Sequence, residues 1–235
     1  MGSYINSAIF GWYPYLCAIV FLVGSLLRFD TTQYSWRSGS SQLLRRRQLR
    51  LGSNLFHIGI LVLLVGHTGG LLTPVAVLDA LGIPHESKQI LAMTVGGVAG
   101  AMCFAGLLML AHRRLADPRI RANSSFADTA IVLLLLVQVT LGLLTIPLSG
   151  ADTTAGDMVN FMNWAQGIVF LNPHAASYVA DVPLLFKVHL TLGMTLFLLF
   201  PFTRLVHIWS VPIWYLGRPG YQIVRARWRQ GAAGD

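Results

Sequence analysis

Charge of either sign is scarce in this chain, and acidic charge most of all. Asp and Glu number 9 among 235 residues, and all charged residues together make up 11%. A soluble domain carries about 25%, so a large solvated surface is excluded. Cysteine is nearly absent as well. Cys17 and Cys103 both fall inside apolar stretches, too few and too deep for a disulfide framework or a thiolate zinc site. Both read as inert buried thiols. No CxxCH sequence occurs, which excludes covalent haem attachment of the c type. There is no basic leader region with a cleavage site ahead of the first apolar run, which therefore reads as a retained span. Repeats, low-complexity tracts and a separate soluble domain are also missing.

What the chain has is apolar sequence, 54% of the total. Five stretches, at about 4–27, 52–73, 89–111, 126–148 and 184–211, are each long enough to cross about 30 Å of hydrocarbon as a helix. The expected fold is an all-α integral membrane bundle of five transmembrane helices, one domain over residues 1–235 with a tail at 212–235. Trp12, Tyr13 and Tyr15 suit an interfacial aromatic belt. The basic residues set the orientation. Fifteen of the 17, among them Arg28, Arg45, Arg46, Arg47, Arg113, Arg114 and Arg204, flank the same ends of the spans, and only Lys88 and Lys187 fall on the other side. The positive-inside rule then puts the N-terminus outside and the C-terminus in the cytoplasm. This placement explains the net charge of +8 without a nucleic-acid partner. Residues 157–171, too short to span and mixed in polarity, read as a helix lying on the outer surface. Small residues from Gly96 to Gly106 read as a close helix–helix contact.

The stretch 184–212 carries His189 and His207, eighteen residues apart and so on one helix face. The second span carries His57 and His67. A lone intramembrane histidine is commonly a polar contact between helices; four of them on two spans make a ligand set. With the second span running outward and the fifth inward, depth pairs His67 with His189 on the outer side and His57 with His207 on the inner. On straight helices ten residues rise about 15 Å and eighteen about 27 Å. Level pairing therefore needs tilt, or a kink at Pro201. Zinc and di-iron sites gather their ligands at one depth, commonly with carboxylates or thiolates. These two spans contain no Asp, Glu or Cys, and two imidazoles per iron suit two b haems engaged in electron transfer. Gly193, one turn beyond His189, is expected to leave room for a flat macrocycle. Arg28, Arg113, Arg114 and Arg204 stand near the inner boundary, where haem propionates could find them. His85, His112 and His174 read as solvated and outside the ligand set.

The segments SNLFHIGIL, GH followed by LLTP, GLLTIP, HLTLGMTLFLLFPFTRLVHIWSVP and YQIVRAR resemble the gamma subunit of membrane-bound respiratory nitrate reductase, from about residue 13 to residue 227. The resemblance implies a di-haem cytochrome b of the bacterial inner membrane. Its partners would be a cytoplasmic iron–sulfur subunit and a molybdenum-containing catalytic subunit. It would oxidise membrane quinol and pass the electrons inward, with protons released outside. His67 and His189 would hold the outer haem b, His57 and His207 the inner. Lys88, in SKQ, falls where the family has a lysine implicated in quinol binding, although the loop before it departs from the family pattern. With no molybdenum site of its own, the chain would not reduce nitrate alone. The rival readings are a di-haem quinol dehydrogenase serving another reductase and a haem-free membrane anchor.

Overall fold

A computed structural model describes residues 2–35 and 44–210; the expected tail at 212–235 lies outside them. The described residues are almost wholly helical. Five helices are long and apolar enough to cross a membrane: Tyr4–Thr32, Arg46–Leu72, His85–Ala116, Phe126–Ala151 and Leu184–Phe202. Four of them outrun the stretches read from apolarity, because helix continues into polar sequence until a cap or proline stops it. The third begins after Pro84, whose fixed φ suits a helix entry. The fourth begins at a capping box. Ser125 Oγ accepts from the Asp128 N–H at 3.1 Å, and the Asp128 carboxylate accepts from the Ser125 N–H at 3.4 Å.

The fifth differs from the uninterrupted span to residue 211. Its α-helix is Leu184–Leu199, followed by a 3₁₀ turn at Phe200–Phe202, extended Thr203 and a second 3₁₀ run at Arg204–Ser210. Pro201 has no N–H to give, and its ring clashes with the preceding turn.

In space the membrane helices follow the order first, fifth, fourth, third, second, each packed on the next. Glycine permits the closest contact. A Cβ at Gly106 would stand 2.4 Å from the Phe56 nitrogen, and one at Gly59 would stand 2.6 Å from the Ala99 carbonyl. Any larger residue at either position separates the second and third helices. The first and fifth are joined by a hydrogen bond between the Tyr13 and Thr195 hydroxyls, 2.9 Å long, and by Phe21 standing edge-on to Phe197 and Phe200. The outward faces remain apolar and exposed, including Leu61, Val65, Leu91 and Val98, as a lipid-facing surface requires.

The segment expected on the outer surface is a helix, Gly156–Val169, and it ties one end of the bundle together. Trp164 Nε1 donates to the Phe10 carbonyl at 2.9 Å. Phe10 lies in a π-helical turn, Ala8–Trp12; such turns disturb the regular backbone ladder and free carbonyls. Gln166 Nε2 donates to the Leu71 and Thr73 carbonyls at the end of the second helix. At the start of the short helix, the Asp152 carboxylate accepts from the Asp157 N–H and the Thr154 hydroxyl, which hold it below the usual carboxylate range. Burial, and then the Asp152 charge, push Asp157 up.

Candidate functional site

In the packing order the fourth and third helices stand between the fifth and the second, which do not lie side by side. Across the gap between them the four intramembrane histidines meet in twos. The ring centres of His67 and His189 are 6.4 Å apart, and those of His57 and His207 are 6.2 Å apart. These are the pairs that depth matching selects. The α-helix of the fifth span ends at Leu199, so straight-helix spacing does not hold as far as His207. On a straight helix the fifth-span pair would be separated by about 12 Å more than the second-span pair. The chain leaves the α-helical path before it reaches His207.

The separation has a chemical meaning. A metal–imidazole nitrogen bond is about 2 Å long and the ring centre lies roughly 1.1 Å further on, so one ion between opposed imidazoles sets their centres about 6.2 Å apart. The ring nitrogens agree. His57 Nδ1 bonds the Ser53 carbonyl at 2.7 Å, His67 Nδ1 the Leu63 carbonyl at 2.8 Å and His207 Nδ1 the Arg204 carbonyl at 2.5 Å. A carbonyl only accepts, so each Nδ1 carries the proton and each Nε2 offers a lone pair. His189 is held differently. Its Nδ1 is buried without a hydrogen bond of normal geometry, the Gln138 backbone being the group that interacts with the ring. Gly142 backs that ring so closely that a Cβ there would stand 3.0 Å from His189 Cε1.

Among the described residues no group of three or more His, Cys, Asp and Glu gathers at one point. Two imidazoles supply two ligands, and the remaining positions on an ion must come from a non-protein group. A planar tetradentate macrocycle meets that need, and the residues present fit a b-type haem at each pair. Beside His67 a Cβ built at Gly66, Gly69 or Gly70 would meet nothing within 4 Å. Gly193 does not provide the room expected of it: Gln138 occupies that space, its Nε2 lying 3.1 Å from where a Cβ would stand and donating to the His189 carbonyl at 3.1 Å.

Lys88 reaches across from the third helix. Its Nζ donates to the Gly70 carbonyl at 2.8 Å and lies 3.1 Å from Met162 Sδ, one helical turn from His67. His85 pairs with Asp79 at 2.9 Å, His112 with Gln48, and His174 lies in the loop after the short helix, all apart from the four.

The boundary arginines serve the protein. Arg28 donates to the Pro201 and Thr203 carbonyls, Arg113 to the Leu44 carbonyl, and Arg204 pairs with Asp128 at 2.7 Å. Asp128 went unread in the sequence although its signal is there: Ser125 and Asp128 stand at capping-box spacing. Gln138 and Met162 carry no comparable signal.

The fold and site define a class: a five-helix membrane protein whose second and fifth helices carry paired imidazoles at two levels. Residues 6–227 match the sequence profile of the nitrate reductase gamma subunit family. The chain is 50% identical over 225 residues to the respiratory nitrate reductase 1 gamma chain of Escherichia coli K12, covering 96% of this chain and 99% of that one. It is 46% identical over 227 residues to the 2 gamma chain of the same organism, covering 97% and 100%. To the nitrate reductase gamma chain of Bacillus subtilis 168 it is 39% identical over 225 residues, covering 93% and 97%. The chain belongs to the nitrate reductase gamma subunit family. It is a multi-pass bacterial membrane protein and a subunit of the nitrate reductase oxidoreductase complex, so it works with other subunits.

Proposed function

We propose that this chain is the quinol-oxidising di-haem cytochrome b of its nitrate reductase. The observation that carries the reading is the distance between imidazole centres, 6.4 Å in one pair and 6.2 Å in the other, on helices that the third and fourth separate in the packing order. His67 and His189 hold the outer haem b, His57 and His207 the inner. Held between two imidazoles, each group would supply one-electron transfer across the membrane.

The protein's own side chains do the rest. The Ser53, Leu63 and Arg204 carbonyls keep their histidines in the Nε2-ligating tautomer. Lys88 orients quinol near His67. A protonated ammonium donates and does not accept, so the quinol protons leave to the outside by another route. The N-terminus is outside and the inner end faces an iron–sulfur subunit, which takes the electrons on to a molybdenum-containing subunit. One charge moved across the membrane corresponds to about 2.3 kcal/mol per 100 mV, so inward electrons with outward protons help sustain the potential.

The test is a redox titration of the purified complex. It should resolve two b-haem components, both reduced by added quinol and both reoxidised by nitrate. A spectrum without haem absorption would reject the reading in favour of a plain membrane anchor. Gly142 supplies a narrower check. Gly142→Ala presses on the His189 ring, so the component lost in His67→Tyr should shift its potential and the other should not. Unchanged potentials in Gly142→Ala would disconnect that ring from the outer haem.

A further inference from the structure

Three of the four paired histidines stand on continuous α-helix. His207 does not. It follows the break at Pro201, on a 3₁₀ run preceded by extended Thr203 (φ −120°, ψ 179°). A break of this kind interrupts the hydrogen-bond ladder that would otherwise locate the chain.

Two charged side chains from other helices take over that task. Arg28, on the first helix, donates through Nη1 to the Pro201 carbonyl at 2.6 Å and to the Thr203 carbonyl at 2.9 Å. Its guanidinium is aimed by Ser35, whose Oγ accepts from Nε at 3.1 Å and whose carbonyl accepts from Nη2 at 3.2 Å. From the opposite side Asp128, on the fourth helix, accepts from Arg204 Nε at 2.7 Å. The Arg204 carbonyl is the acceptor for His207 Nδ1. The two grips therefore enclose the backbone that aims this one imidazole. One turn before Arg28, the first helix rests on the break itself: a Cβ at Gly24 would stand 2.8 Å from Pro201 Cγ.

We infer that Arg28 and Asp128 are positioning residues for His207, clamping the broken fifth helix so that the inner imidazole is presented correctly while the outer pair is left alone. An arginine serving only as a topology signal extends toward headgroups and water. Arg28 instead turns its forked donors onto two carbonyls that the break exposes, a task suited to a planar guanidinium and poorly matched by an ammonium. The inference rests on the haem reading above.

The experiment compares the assembled wild-type complex with Arg28→Gln, Arg28→Lys and Gly24→Ala, with His207→Tyr identifying the inner component. Midpoint potentials, the low-spin electron paramagnetic resonance line of each haem and the rate of haem transfer to an apo-globin scavenger are recorded. Arg28→Gln should shift the potential and line of the inner haem and speed its loss by about 10-fold or more, the scale of an outer-shell change. The outer haem should be unchanged. Arg28→Lys keeps the charge and should restore the inner haem only in part. Gly24→Ala, which removes no polar group, should shift the same component by pushing on Pro201.

Two unchanged haems in Arg28→Gln would overturn the clamp, as would full restoration by Arg28→Lys. Equal loss of both haems would also overturn it, by making Arg28 a residue of the whole fold. Absence of haem from the wild-type complex would remove the reading beneath it, and so is distinguishable from either result.

Discussion

His67→Tyr and His189→Tyr are each expected to abolish the same b-haem component and to stop quinol oxidation. His57→Tyr and His207→Tyr are expected to abolish the other component and the flow of electrons to the partner subunits. The expectation follows from two ring-centre distances, 6.4 Å and 6.2 Å, each suited to one ion shared between opposed imidazoles. Removing either member leaves its partner facing a bulky phenol in place of the second imidazole nitrogen that would hold the group. The effect on haem retention should exceed the roughly 10–100-fold that follows loss of an outer-shell contact. Optical redox titration of membranes from the four variants makes the measurement. If His67→Tyr and His207→Tyr eliminate one and the same component, the pairing is wrong.

Lys88→Ala should separate substrate chemistry from haem binding. Its ammonium already donates to the Gly70 carbonyl at 2.8 Å, one of the carbonyls left open near the end of the second helix. That contact alone would make Lys88 a cap. Its place one turn from His67, with a donor left over, suits a hydrogen bond to a quinol oxygen. A charge-assisted hydrogen bond contributes about 1.5–3 kcal/mol, and each 1.36 kcal/mol is about tenfold in rate. Lys88→Ala should therefore lower kcat/KM for quinol by about 10- to 100-fold while both haem spectra and the bound subunits persist. Nitrate reduction with a soluble donor that feeds the partner subunits directly should stay at the wild-type rate. A wild-type quinol rate at limiting quinol would leave Lys88 with the capping role only.

Much of this was legible because membrane burial imposes simple rules. An imidazole in hydrocarbon needs a partner, so four of them on two spans already imply pairs, and the sign of the flanking charges is enough to order those pairs by depth. The close contact at Gly106 was legible for a similar reason, since a run of small residues has few uses other than letting two backbones approach. Gly193 was misleading because a missing side chain says that space is needed without saying what fills it; Gln138, 55 residues earlier in the chain, does. Arg28 was hidden by its own plausibility. At the end of the first span it fits the positive-inside rule, and nothing local distinguishes it from Arg45 or Arg46.

By itself the sequence determined the five spans, the helical class, the family and the identity of the four histidines. Each depends on composition, on charge placement or on residues within one helix, and these are local quantities. Tertiary structure decided what those residues touch. It set the helix order that leaves the second and fifth helices apart, and beyond the break at Pro201 it placed His207 opposite His57. It also directed Arg28 and Lys88 onto backbone in other helices and Asp128 onto the Arg204 side chain. Contacts of that kind join residues far apart in the chain: 173 positions separate Arg28 from Pro201. No periodicity or spacing rule extends that far, because the distance is closed only when the whole bundle packs.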